Sequence, residues 1–359
     1  MTKILFPGSF EPIHNGHINM ASFASRYFDD SEVIFIPSKN SIWKASSTKP
    51  EDKLSMINLA IKDYENFSIS TFEIDSMAEQ IYTIETVKHF VKQFPLEEIV
   101  LLIGADQVNK FHLWKEAEKL SKLVKIAFFN RPGELLEEIN IKKYNMIQIT
   151  GSTINESSTM VREFKSFNVS LDVAKYILQN NLYKLDEIKK FYDPLRFEHA
   201  KRVALLAFEI AIKNNVENPW KLFLAGIYHD IGKAYANAPK IMKQRYERYI
   251  NLPSSLYHQF VGEYITSNNF GINDSDILDA IKFHATGNGN MTVYSKILYA
   301  ADKIEPGREF DSSKLIAEMN NNFELGFLSV LQANKEYFIK KGIDYNNELT
   351  VECFNTYLI

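Results

Sequence analysis

A chain of 359 residues exceeds the size at which a single hydrophobic core usually stops growing, so two domains are expected. Its 45% hydrophobic and 24% charged content excludes long disorder, and 41 basic against 45 acidic residues (net charge −4) exclude a chain-wide basic footprint for nucleic acid. The single cysteine, Cys353, excludes an intramolecular disulfide and a thiolate zinc site, and it suits a reducing compartment.

In chain order, the first apolar run, Ile4–Phe6, ends at Pro7-Gly8. It is too short for a signal-peptide core or a bilayer span, so a cytoplasmic protein without a membrane partner is expected. Short apolar runs then alternate with helical patterns. Strands are predicted at Ile4–Phe6, Val33–Pro37, Phe67–Phe72, Ile99–Ile103, Val124–Phe129 and Met146–Ile149, with helices near 16–28, 51–65, 83–94 and 112–121. This alternation is the signature of strand–helix–strand units and a parallel sheet. From about Leu185 onward, helix-period stripes such as Val203, Leu206 and Ile210 replace the strand runs. The polar stretch Asn180–Lys190 marks the expected boundary, giving domains 1–185 and 186–359.

The segment Pro7-Gly8-Ser9-Phe10-Glu11-Pro12-Ile13-His14-Asn15-Gly16-His17 follows the first strand and opens the first helix. Gly8 permits close backbone approach, a helix N-terminus offers unpaired N–H groups to an anion, and His14 and His17 share one helical face. The segment resembles the nucleotidyltransferases with an HxGH signature, which implies an α/β Rossmann-like domain. Pro7-Gly8-Ser9-Phe10 is similar to phosphopantetheine adenylyltransferase. The remaining blocks are similar to nicotinate-nucleotide adenylyltransferase: Tyr82-Thr83-Ile84-Glu85-Thr86, Ile103-Gly104-Ala105-Asp106, Trp114, Asn130-Arg131-Pro132-Gly133 and Ser157-Ser158-Thr159-Met160-Val161-Arg162. Ser41-Ile42-Trp43-Lys44 stands where that family usually carries Pro-Pro-His-Lys.

The resemblance implies transfer of AMP from ATP to nicotinate mononucleotide, with pyrophosphate released and Mg²⁺ held mainly by the substrate phosphates. It places Gly8, Ser9, Phe10, His14, His17, Gly104, Asp106, Ser158, Thr159 and Arg162 at ATP. His14, His17 and Arg162 carry the chemistry. Lys44, Tyr82, Thr83, Trp114 and Arg131 fall to the nicotinate nucleotide, with Trp114 stacked on the pyridine and the Tyr82 and Thr83 amides at its carboxylate.

In the second half, His199 shares an apolar stripe with Val203, Leu206 and Ile210, His229 follows Leu222 and Gly226, His284 follows Ile277 and Ala280, and Asp302 follows Leu298. Inward carboxylates need a cation or strong hydrogen bonds, and an imidazole–carboxylate set without thiolate suits Fe, Mn, Zn or Mg. This half resembles the all-α HD superfamily of metal phosphohydrolases. The carrying blocks are Arg196-Phe197-Glu198-His199, His229-Asp230-Ile231-Gly232-Lys233, Leu256-Tyr257-His258, Phe283-His284-Ala285-Thr286-Gly287 and Ala301-Asp302-Lys303-Ile304-Glu305-Pro306-Gly307-Arg308.

The branch implied is the symmetrical bis(5′-nucleosyl)-tetraphosphatase type, which splits a diadenosine polyphosphate to ADP. Asn288-Gly289-Asn290 departs from its more common Arg-Pro pair. The resemblance makes His199, His229, Asp230 and Asp302 the metal ligands, with Asp230 also catalytic and iron foremost ahead of manganese and zinc. Lys233, His258, His284, Thr286 and Arg308 fall to the nucleotide, with a second metal at His258 and His284 as the other reading. A phosphopantetheine or other adenylyltransferase joined to a non-catalytic nucleotide sensor is the alternative for the whole chain. A homo-oligomer is compatible with this composition.

Overall fold

The computed structural model describes residues 1–39, 48–78, 80–130, 136–151 and 156–358. Two compact units are present, Met1–Arg162 and Glu163–Ile359. Residues 163–185, which lie before the boundary read from sequence, pack with the second unit: Phe167 stacks on Phe223 at 3.9 Å between centroids.

The first unit is a six-stranded sheet: β1 (Thr2–Gly8), β2 (Ser31–Pro37), β3 (Phe67–Ile69), β4 (Glu98–Gly104), β5 (Lys125–Phe129) and β6 (Ile147–Ile149). All paired strands are parallel, in the order β3-β2-β1-β4-β5-β6. Ile4, Leu5, Val33, Phe35, Val100, Leu101 and Leu102 are completely buried, as strands covered on both faces must be. The third predicted strand is shorter than expected, because Phe72–Asp75 forms a helical turn. The helix expected at 112–121 is split: Phe111–Leu113 is a 3₁₀ turn, Glu116 takes a left-handed φ of 55°, and Ala117–Leu123 is the helix proper.

This strand order reverses direction between β1 and β4, and ligands of open α/β sheets bind outside the carboxyl ends of such a switch. Here the ends separate. The β1–β2 ladder continues to Gly8↔Pro37, whereas the β1–β4 ladder stops at Leu5↔Leu101. Gly8 and Gly104 therefore flank the opening.

One buried acid outside this crevice supplies a stability test. Glu73 is buried and accepts a 2.7 Å hydrogen bond from Thr86 Oγ1. Burial raises its pKa and the Thr86 hydroxyl only partly offsets this. A folded-state pKa above the unfolded one favours folding at low pH, and that advantage is lost as pH rises through the folded value. Glu73→Gln keeps an acceptor for Thr86 without the charge. It should raise the melting temperature near pH 7 and give no gain below about pH 4. Equal gains at both pH values, by calorimetry, would contradict this account.

The described residues of the second unit form helices only. Pro194–Lys213 packs against Trp220–Tyr228, and Tyr257–Phe270, Ser275–Phe283 and Val293–Ile304 complete the scaffold of its site. Gly226 lets the first two of these helices approach closely, since a Cβ there would lie against the Ala204 backbone. No helix among the described residues is long and apolar enough to cross a membrane.

Candidate functional site

The N-terminal site is built at the β1 turn. His14 has extended backbone (φ −141°) and ends the turn, and the Asn15–Tyr27 helix starts behind it. The His14 N–H donates to His17 Nδ1 at 3.2 Å. Nδ1 is therefore the unprotonated nitrogen of a neutral His17 ring, and its proton sits on Nε2. The two imidazoles stack at 3.7 Å, and His17 also meets the edge of Phe10 at 5.0 Å. Phe10 itself is 1% exposed among Phe6, Phe35 and His17, and its ring fills the space beside Gly8 that a Cβ would enter. Its side chain serves the core and props His17, rather than offering a surface to ATP.

The second expected phosphate element meets the same turn. Ser158 Oγ donates to Pro12 O at 2.9 Å, and Arg162 Nη1 donates to Glu11 O at 2.5 Å while Nη2 reaches Thr159 Oγ1 at 3.1 Å. Gly104 ends β4, with the half-exposed turn residue Gln107 holding Asp106 Oδ2 at 2.8 Å. Sequence reasoning missed Glu11, which is central here. Its Oε1 accepts from Thr48 N and Oγ1 at 3.0 and 2.8 Å, and its Oε2 faces buried Lys53 Nζ at 3.9 Å. Burial lowers the Lys53 pKa, with Glu11 working against that shift. Glu11 thus ties the signature turn to the chain that follows β2.

Around the expected pyridine site, Trp114 is half-buried against Phe111. The Tyr82 N–H is already taken by Glu85 Oε2 at 3.1 Å, so it is the Thr83 amide, at the start of the Thr83–Gln93 helix, that lacks an intrahelical acceptor. Lys115 Nζ, not anticipated from sequence, lies 4.0 Å from the Tyr82 ring centroid and 3.3 Å from Glu85. Lys44 and Arg131 lie outside the described residues.

In the second unit, His199, His229, His284 and Asp302, expected from the helical stripes, converge with Asp230 and His258, expected from the family resemblance. His199 Nε2 is 3.0 Å from Asp302 Oδ1, and His229 Nε2 is 3.6 Å from both Asp302 Oδ1 and Asp230 Oδ2. On its other side Asp230 Oδ1 stands 3.4 Å from His284 Nε2 and 3.6 Å from His258 Nε2, and those two nitrogens are 3.2 Å apart. Two sets of donors close enough to share an ion result: His199, His229 and Asp302, and His229, Asp230 and His284.

The tautomers are set from behind. The Nδ1 atoms of His229, His258 and His284 lie 2.7 Å from the carbonyls of Gly226, Ser255 and Ile281, and His199 Nδ1 lies 3.1 Å from Glu305 Oε1. Each acceptor can take a proton from Nδ1, the tautomer in which a neutral ring turns its Nε2 lone pair inward; at His199, burial is outweighed by hydrogen bonds to Asp302 and Glu305, which raise its pKa. Burial pushes the His258 pKa down to about 3, and burial also lowers that of His284, which keeps both rings neutral.

Burial opposes ionisation of Asp230 and Asp302. The imidazoles and Lys233 around Asp230, and Lys303 and the imidazoles around Asp302, outweigh it and hold both carboxyls well below the usual range. His229 Nε2 and Asp230 Oδ1 are buried without a hydrogen-bond partner among the described residues. When the Nε2 atoms carry no proton, their lone pairs and the carboxylates repel one another unless a cation lies between them. The His–Asp pairs among them stand 3.0–3.6 Å apart, close to the roughly 3.0–3.4 Å edges expected for ligands about 2.1 Å from one ion, and all donors of a set lie within 4.8 Å of one another. The residues fit a divalent metal.

Cations line the rim. Lys233 Nζ and Lys303 Nζ each bind a carboxylate oxygen at 2.7 Å, on Asp230 and Asp302 respectively, and Arg308 reaches Asp302 Oδ1 at 2.9 Å. Thr286 differs from expectation. It is 1% exposed, and its hydroxyl donates to Gly287 O at 2.9 Å beside Gln259 Oε1, which also accepts the Thr286 N–H. Its hydroxyl secures the turn after His284. Gln259, missed from sequence, organises that turn, and nothing in its local pattern sets it apart from a core amide.

Comparison with known proteins agrees with this division. Residues 5–164 match the cytidylyltransferase-like family model, and residues 196–307 match the HD domain model. Proteins named probable nicotinate-nucleotide adenylyltransferase/Ap4A hydrolase are similar along the chain. The one from Mycoplasma genitalium is 31% identical over 92% of this chain and 96% of its own, and the one from Mycoplasma pneumoniae is 28% identical over 85% and 89%. A crystal structure from Clostridium acetobutylicum, described as a predicted HD superfamily hydrolase involved in NAD metabolism, is 29% identical with a TM-score of 0.43. It covers 48% of this chain and 96% of that one. With a nucleotidyltransferase sheet, an HD helical unit, and near end-to-end similarity to fused relatives, the chain belongs to the nicotinate-nucleotide adenylyltransferase/Ap4A hydrolase family.

Proposed function

We propose that the protein is a bifunctional enzyme, with an adenylyltransferase within residues 1–185 and a phosphohydrolase within residues 186–359. The first joins AMP from ATP to nicotinate mononucleotide, giving nicotinate adenine dinucleotide and pyrophosphate. An oxygen of the mononucleotide phosphate attacks the α-phosphorus of ATP in line, and pyrophosphate leaves. Such a step needs alignment and charge neutralisation rather than a covalent nucleophile. Mg²⁺ arrives with ATP. His17 Nε2–H and Arg162 neutralise charge at the phosphates, Ser158 and Thr159 hold the far phosphates, and His14 fixes the His17 ring. Trp114 and the Thr83 amide orient the pyridine ring and its carboxylate.

The second activity is symmetrical hydrolysis of diadenosine tetraphosphate: one water is consumed and two ADP are formed. His199, His229, Asp230 and Asp302 would hold the metal, iron foremost with manganese and zinc as alternatives. His258 and His284 would bind the nucleotide phosphates, with a second metal there as the other reading. A metal bound there supplies Lewis acidity and acidifies water. The chain's own residues bind and orient the substrate: Lys233, Lys303 and Arg308 neutralise the polyphosphate as it draws them from the carboxylates they now contact. The observation that carries this half is the convergence of four imidazole Nε2 atoms and two carboxylates, with His229 Nε2 and Asp230 Oδ1 buried and without a hydrogen-bond partner among the described residues. A cytoplasmic setting suits the lone buried thiol of Cys353.

The test is a product assay on the intact chain. ATP with nicotinate mononucleotide should yield the dinucleotide and pyrophosphate, and diadenosine tetraphosphate should yield ADP alone in a chelator-sensitive reaction. Turnover confined to phosphopantetheine would overturn the first assignment. A metal-loaded chain without ADP release would overturn the second and favour a sensor.

A further inference from the structure

We infer that Arg202 and Glu305 form an orienting relay behind His199, and that this relay tunes how tightly the helical unit holds its cation. The inference rests on the proposed metal site and adds two positioning residues to it. His199 is the one imidazole of the four whose Nδ1 faces a carboxylate. The other three use the backbone carbonyls of Gly226, Ser255 and Ile281. An anionic acceptor makes the opposite nitrogen a stronger donor to a metal, and it locks ring orientation.

The local structure is built for that contact. The Val293–Ile304 helix ends at Glu305, which is 1% exposed, and Pro306 prevents continuation. Glu305 Oε1 then faces His199 at 3.1 Å, while Oε2 accepts from Arg202 Nε at 2.5 Å and from the Gly307 N–H at 2.6 Å. Arg202 Nη2 adds a contact to Oε1 at 3.3 Å. Arg202 sits one helical turn beyond His199, so the same face supplies the ligand and the clamp on its carboxylate. Gly307 makes room, because a Cβ there would meet the Arg202 guanidinium. Every acceptor site of Glu305 thus has a donor, and the carboxylate cannot rotate away from His199 without losing two of them.

A plain salt bridge stapling two helices is the competing explanation, and metal affinity separates the two. Chelator-stripped full-length chain would be titrated with Mn²⁺ by calorimetry, alongside melting curves of the metal-free protein with and without added Mn²⁺. In Glu305→Gln the amide has to set its NH₂ against either the His199 Nδ1–H or the Arg202 and Gly307 donors. Mn²⁺ should bind about 10- to 100-fold more weakly, with a smaller Mn²⁺-induced rise in melting temperature. Arg202→Met, at a half-exposed position that tolerates truncation, should weaken binding in the same direction by less, and it reports even if the Glu305 variant folds poorly. Variants that melt lower without metal yet bind Mn²⁺ as tightly as wild type would overturn the relay and leave the metal reading standing. A wild type that binds no Mn²⁺ would overturn both.

Discussion

Asp230→Ala is expected to cut ADP release from diadenosine tetraphosphate by more than about 10³-fold, or ~4 kcal/mol of barrier, while adenylyl transfer by the same chain is unchanged. Asp230 is the carboxylate that faces His229, His258 and His284 together. Oδ2 lies 3.6 Å from His229 Nε2 and 2.7 Å from Lys233 Nζ, and Oδ1 lies 3.4 Å from His284 Nε2 and 3.6 Å from His258 Nε2. Alanine removes the anion shared by every one of these contacts and leaves Asp302 as the single aspartate among the imidazoles, a poorer site for a divalent ion. His258→Ala, by contrast, removes a side chain that belongs to neither donor set, so its loss should be smaller. Metal content by mass spectrometry and ADP release should fall together in Asp230→Ala. Unchanged metal content with normal ADP release would remove the basis for this site.

The residues that were legible in the sequence are those whose role is written in local period. Six strands followed from apolar runs, and His199, His229, His284 and Asp302 followed from helical stripes that point them inward. Other features depend on partners far along the chain. Glu305 reads as a polar helix end until folding brings it to His199, 106 residues upstream. Glu11 sits inside the signature turn, yet its side chain acts through Thr48 and Lys53. The aromatic stack of Phe167 on Phe223 draws residues 163–185 into the helical unit, and no composition shift announces it. Phe10 was legible as part of a motif but not as core, because its positive φ of 44° turns the ring back beneath His17.

His17→Ala is the corresponding test of the first unit. On its proposed role, the ring donates from Nε2 to charge that builds up at phosphorus as pyrophosphate departs. Removing one oriented donor of that kind costs about 10²–10³-fold in turnover. The orientation is supplied by the His14 N–H on Nδ1 at 3.2 Å and by the stacked His14 and edge-on Phe10 rings, so it exists before ATP arrives. The loss should therefore fall on kcat for dinucleotide formation, with the KM for ATP moving less, since the interaction strengthens in the transition state. His14→Ala should behave differently. His14 is 3% exposed and supports its neighbour, so that variant should lose melting temperature as well as turnover. Steady-state pyrophosphate release and calorimetry on the two variants separate these roles. A His17→Ala enzyme turning over within twofold of wild type would show that the proton on Nε2 serves the turn and not the reaction.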